Sequence, residues 1–125
     1  MARNAGISGN IAVQQAGAAP TTTATISAQS ADVTQTTSGT KRQASATTAT
    51  LSLGAVALAS FIYIKGTSVA SGNPAPFQVN LNAVGVLPAC TEFTHIANSS
   101  PAVTSVAITT PAGDSVDLDF IIAGT

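Results

Sequence analysis

The chain has 125 residues, a net charge of −1 and charged side chains at only 7% of positions, against about 25% in an ordinary soluble domain. So little charge gives no general attraction to nucleic acid or to an anionic membrane, and it suits a surface that partner subunits largely cover. Apolar residues at 45% supply one core, and Phe61, Tyr63, Phe77, Phe93 and Phe120, the only aromatic residues, place it after residue 60.

Residues 1–20 mix Gly, Ala, Asn and Gln with scattered Ile and Val and read as an arm that becomes ordered by docking on a neighbour. Ile11–Ala19 has the composition for one or two uncapped helical turns. Residues 21–50 are a Thr/Ser/Ala tract. Thr is β-branched, so Thr21–Ala28 and Ala31–Thr37 are expected as strands, with a turn at Ser38-Gly39-Thr40. A flexible low-complexity linker is the alternative for this tract.

From Ala44 onward the pattern is that of strands. Ser45–Leu53 alternates into Leu51 and Leu53. In Val56–Ile64 the pair Phe61 and Tyr63 points one way and Ile62 and Ile64 the other, which predicts a central strand covered on both faces. Gly66–Pro76 reads as a loop and Phe77–Leu81 as a half-buried strand. Val84–Leu87 is a short apolar run ended by Pro88. Glu92–Ala97 and Val103–Thr109 are predicted strands separated by Asn98-Ser99-Ser100-Pro101, and Thr110-Pro111-Ala112-Gly113-Asp114 is a turn. In Ser115–Ile122, Val116, Leu118, Phe120 and Ile122 alternate with Asp117 and Asp119, the cleanest amphipathic strand in the chain. These elements predict an all-β protein: an antiparallel β-sandwich of jelly-roll or Greek-key type, with an extended N-terminal arm over residues 1–44 and a body over 45–125. No fixed-period repeat occurs.

The longest apolar run, Gly54–Ile64, is 11 residues and ends at Lys65, short of the roughly 20 a membrane-spanning helix needs. The N-terminus lacks the pattern of a secretory signal, so the expectation is a cytoplasmic protein without a membrane role. Cys90 is the single cysteine and has no intrachain disulfide partner.

The succession Leu51-Ser52-Leu53-Gly54, Phe61-Ile62-Tyr63-Ile64-Lys65, a polar loop, Phe77-Gln78-Val79, Leu87-Pro88 and a last strand Val116–Ile122 resembles small virion proteins of tailed bacteriophages over residues 45–125. These are the capsid decoration or cement proteins and related head or tail accessory proteins. The resemblance implies a jelly-roll-like domain with an N-terminal arm, and a non-enzymatic virion subunit assembled in a host cytoplasm. It implies partners among the major capsid protein and other virion proteins, homo-oligomers with trimers favoured, and no cofactor. A tail, fibre or head–tail connector component is the nearest alternative. A carbohydrate-binding or adhesin module is a further one, weakened because Tyr63 is the only candidate for an exposed aromatic sugar platform.

No catalytic, cofactor-binding or metal-binding residue is expected. His95 is the only histidine, and Cys90 and Glu92, its sequence neighbours, do not form a nucleophile–base–acid set. One Cys and one His do not make a zinc site. Asp114, Asp117 and Asp119 carry the right atoms for Ca²⁺ but no second acidic cluster completes the shell, so they read as a solvated strand face that also discourages edge pairing. Gly6, Gly9 and Gly17 match no phosphate-binding loop, and no nucleophile elbow is present. Lys41-Arg42 reads as an ordinary exposed pair, and Asn98-Ser99-Ser100 as a chance glycosylation match. TTTAT, TQTT and ATTAT lack the regular spacing of an ice-binding Thr ladder. Residues 1–65 hold Arg3, Lys41, Arg42 and Lys65 against Asp32, and residues 66–125 hold Glu92, Asp114, Asp117 and Asp119; with nine charges this split reads as chance ahead of a head-to-tail contact between copies.

Overall fold

A computed structural model describes residues 3–13, 17, 22–96 and 103–125. The described chain is built from strands: β1 (Arg3–Val13), β2 (Thr22–Val33), β3 (Gln35–Gln43), β4 (Thr48–Leu51), β5 (Ala59–Ser68), β6 (Gln78–Leu81), β7 (Glu92–Ile96), β8 (Val106–Thr109) and β9 (Val116–Gly124). They form a ribbon β1-β2, a four-stranded sheet β3-β9-β5-β7 and a three-stranded sheet β4-β8-β6, all antiparallel.

One local turn organises this topology. Asn82 and Ala83 both have φ of 55°, and the Val84 N–H donates to the Leu81 carbonyl (3.2 Å), which is a two-residue I′ hairpin turn. Around it the chain pairs with itself in nested fashion. Asn80 bridges Val86, then β5 pairs β7, β4 pairs β8 and β3 pairs β9. The body is therefore one long hairpin rolled up until β9 also meets β5 and β8 also meets β6. That is a jelly roll, with Val86 standing where an eighth strand would pair. The Asn82 side chain ties the tip down by accepting from Thr104 N (2.8 Å), Thr104 Oγ1 (3.2 Å) and Ser105 N (3.3 Å).

The core lies between the two sheets. Ile62 and Ile64 of β5, Val116, Leu118 and Ile122 of β9, Ile108 and Val106 of β8, Val79 of β6, and Phe77 and Leu51 are all buried and packed together. Each such side chain contributes about 1.5–3 kcal/mol on leaving water. The strand period of two predicted this set wherever apolar residues alternate, and β9 follows its expected alternation residue for residue. β5 is central, as its two apolar faces predict, since it lies between β9 and β7. Its outward Phe61 belongs to a second small cluster with Val33 and Ala123, against which Tyr63 and Ile96 pack. The strand also runs on to Ser68, beyond the expected loop start at Gly66. Here Gly66 is required by close packing: a Cβ would stand 2.5 Å from the Ala75 carbonyl oxygen and 2.7 Å from the Phe77 ring.

The described residues revise several expectations before residue 60. Ser38-Gly39-Thr40 is not a turn but the middle of β3, with Gly39 opposite Phe120. A Cβ at Gly39 would lie 3.5 Å from the Phe120 ring, an ordinary contact, so space there does not require glycine. The division at residue 44 shifts as well. β3 pairs with β9 over its whole length, and its last residue, Gln43, is buried and donates Nε2 to Ile108 O (2.7 Å) and Thr47 O (3.1 Å). What precedes the body is thus residues 3–33, a paired ribbon. Ile11–Val13 is strand within it, in place of the helical turns considered, and most of the remainder of Ile11–Ala19 lies outside the described residues. β4 and β5 begin later than expected, at Thr48 and Ala59, because residues 45–46 turn the chain between the sheets, Ala46 with φ of 53°, and residues 54–55 turn it back, Gly54 with φ of 59°. The Asn98-Ser99-Ser100 stretch lies outside the described residues.

Candidate interaction surfaces

Charge is divided between the two sheets. Lys41, Arg42, Lys65, Glu92, Asp117 and Asp119 all belong to strands of the four-stranded sheet, and Asp114 to the turn before β9, whereas β4, β6 and β8 (TATL, QVNL and VAIT) carry none. The two outer faces consequently differ in kind.

On the four-stranded sheet, alternation turns Asp117, Asp119, Ile121 and Ala123 outward. The register sets Thr40, Asp119, Lys65 and Glu92 side by side across all four strands, a row in which acidic and basic groups alternate. Thr40 Oγ1 donates to Asp119 (2.5 Å). In the neighbouring row Arg42 donates Nε (2.8 Å) and Nη2 (3.1 Å) to the two carboxylate oxygens of Asp117, a bidentate pair. The Arg42 guanidinium holds the Asp117 carboxyl below the usual carboxylate range. Two strand positions further along β9 the face becomes apolar: Ile121 beside Tyr63, then Ala123 beside Phe61 and Ile96. Val33, at the root of the ribbon, is buried on this apolar end.

On the three-stranded sheet the inward rows are Ala49, Ile108, Val79 and Leu51, Val106, Leu81. The outward rows are therefore Thr48, Thr109, Gln78 and Thr50, Ala107, Asn80, all neutral and partly or fully exposed. Thr48 and Thr109 join their hydroxyls at 2.9 Å. Beyond β6 the edge continues into the segment after the hairpin tip, where Val84, Val86 and Leu87 are 87%, 55% and 41% exposed. Three large apolar side chains side by side in water are unusual on a small soluble body.

The residues that sequence reasoning weighed for chemistry stay apart. Glu92 lies opposite Lys65 in the outward row, while His95, three residues on, lies opposite Ile62 and so belongs to the other face of β7. Cys90 precedes the strand, bridges Phe77 and packs against the core. Burial pushes its thiol pKa up, the reverse of what an attacking thiolate requires. Asp114 accepts from the Ser68 hydroxyl, which lowers its pKa and ties the last turn to β5. Asp117 and Asp119 share a face as predicted, but each is engaged by a β3 side chain. Among the described residues no three His, Cys, Asp or Glu side chains are grouped so as to hold a metal ion, and no helix is long and apolar enough to cross a membrane. Sequence reasoning missed the pairing of Arg42 with Asp117. Lys41 was also read as merely exposed, yet its Nζ donates to the Thr50 carbonyl (3.2 Å), linking β3 to β4. The basic pair and the acidic strand were both visible, but their register was not.

Comparison of the chain with protein-family models finds no match, and comparisons with curated proteins and with solved structures find none either.

Proposed function

We propose that this chain is a non-enzymatic virion structural protein of the capsid decoration or cement kind. In this reading it stabilises a shell by bridging neighbouring subunits and acts as a closed homo-oligomer, with a trimer favoured. The observation that carries the reading is a rolled β body preceded by a separate two-stranded ribbon with almost no charge. Jelly rolls are a common architecture of viral shell domains. A ribbon that contacts its neighbours through backbone and small side chains needs no ionic anchor, and multivalency compensates for shallow individual contacts.

The test is co-sedimentation with intact particles from the producing culture. The full chain is expected to pellet with the shells and to raise the temperature at which they break. A chain lacking residues 1–32 is expected to stay in the supernatant while keeping its folded body. The reading fails if the full chain does not bind, or if the shortened chain binds and protects equally well. Selective retention on a glycan array without shell binding would favour a carbohydrate-binding module instead.

A further inference from the structure

Among the described residues β1 and β2 pair only with each other, and β2 touches β5, β7 and β9 of the body. A lone two-stranded ribbon is at best marginally stable in water. Its strands are 11 and 12 residues long, and Val33 at its root lies buried on the body. The register also sorts its charges. Arg3 lies opposite Val33 and Asn4 opposite Asp32, so both charged residues sit at the root, and residues 5–31 contain none. The shaft Ala5–Val13 alone spans about 30 Å of uncharged chain.

A surface that covers such a shaft must not strand buried ions. The outer face of the four-stranded sheet beyond the ribbon's root carries Arg42, Asp117, Asp119, Lys65 and Glu92, and covering them would remove their water at a cost that a neutral ribbon cannot repay. The outer face of the three-stranded sheet has no charged residue of its own, Lys41 Nζ reaching it only at the Thr50 carbonyl on the β4 edge, and beyond β6 the opposite edge continues into exposed Val84, Val86 and Leu87. The ribbon is rooted on the opposite side of the sandwich from that face. To reach its own three-stranded sheet, a ribbon rooted there would have to turn around an edge of the sandwich.

We propose that the ribbon of one copy packs on the uncharged outer face of the three-stranded sheet of a second copy, against the Val84–Leu87 edge. The contact is heterologous: each copy gives a ribbon and receives one, so a rotation that closes produces a ring. The proposal concerns the purified chain and stands whether or not the shell reading holds.

The experiment is sedimentation of the full-length chain at micromolar concentration, joined to a cross-linking test. Wild type is expected to associate. Val84→Asp and Thr50→Lys, both at exposed positions of the receiving face, are expected to weaken association at least tenfold with unchanged circular dichroism. Ser38→Lys, at an exposed position on the outer face of β3, is expected to leave it unchanged. For the cross-link, Ser8→Cys in one sample and Thr50→Cys in another, each with Cys90→Ser, are mixed under mild oxidation. A disulfide-linked heterodimer is expected. A monomer at 100 µM, equal association of Val84→Asp, Thr50→Lys and wild type, or the lack of the Ser8–Thr50 heterodimer would each overturn the proposal. Because no shell is present in either measurement, failure here is separate from failure of the particle-binding test.

Discussion

At the scale of single residues, the hairpin tip concentrates the most information. Asn82 suits a left-handed backbone because its short polar side chain bonds locally, and here it accepts from Thr104 and Ser105. Ala83 does not suit φ of 55°, where an L side chain with a Cβ is disfavoured. Ala83→Gly is therefore expected to stabilise the protein by about 0.5–1 kcal/mol, read as a higher urea midpoint at an unchanged slope. The ion pair gives a second expectation. The folded-state pKa of Asp117 lies below its unfolded value of 3.8, so its stabilising contribution is complete above that value. It is lost as pH falls through the lower folded value. Stability should hold from pH 7 to about 5, then decline below about pH 4. In Asp117→Asn the decline should be smaller, and the difference between the two proteins should shrink in high salt, because the Arg42 side chain is 64% exposed. Urea melts at pH 7, 5, 4 and 3 measure both effects.

At the scale of elements, β3 is the decisive case. Its sequence, QTTSGTKRQ, contains no large apolar residue, so no alternation marks it as a strand. It exists because the β9 backbone, some 80 residues later, offers a full row of hydrogen-bonding groups, and because Arg42, Thr40 and Gln43 find polar partners there. Trypsin is accordingly expected to cut slowly at Lys41 and Arg42 in the native protein, since a paired strand must open before cleavage. Removing residues 1–32 should leave a cooperative melting transition. Removing residues 1–44 should lower its midpoint markedly, because it uncovers β9 and deletes Gln43 from the core edge. Mass spectrometry of timed digests, and thermal melts of the two truncated chains, check these outcomes. Equal melting of the two truncated chains would show that β3 adds little.

For the whole molecule, the main feature is the division of charge. One sheet keeps water on its outer face through the Arg42–Asp117 ion pair and the charged row of Asp119, Lys65 and Glu92, while the other offers neutral Thr, Gln, Asn and Ala beside an exposed apolar edge. A chain with 7% charged residues does not spread them evenly: outside the ribbon they gather on one sheet and the turn that leads into it. This asymmetry is what makes one face the better candidate for burial in an assembly.

Sequence alone determined which segments after residue 60 form strands and which of their side chains go inward. Strand alternation is a local property, and Val116, Leu118, Phe120 and Ile122, or Phe77 and Val79, display it without reference to the rest of the chain. It also determined that the chemistry-bearing residues are few, and Asp117 and Asp119 were legible as one strand face. Only the tertiary structure decided that the Thr-rich stretch after Thr34 belongs to the body, that Arg42 meets Asp117, that Asn82-Ala83 is the point about which the whole hairpin rolls, and that every charged body strand falls in one sheet. Those features depend on which strands pair, and in what register. Pairing is fixed by hydrogen bonds and core packing between segments far apart in sequence, which no local pattern records.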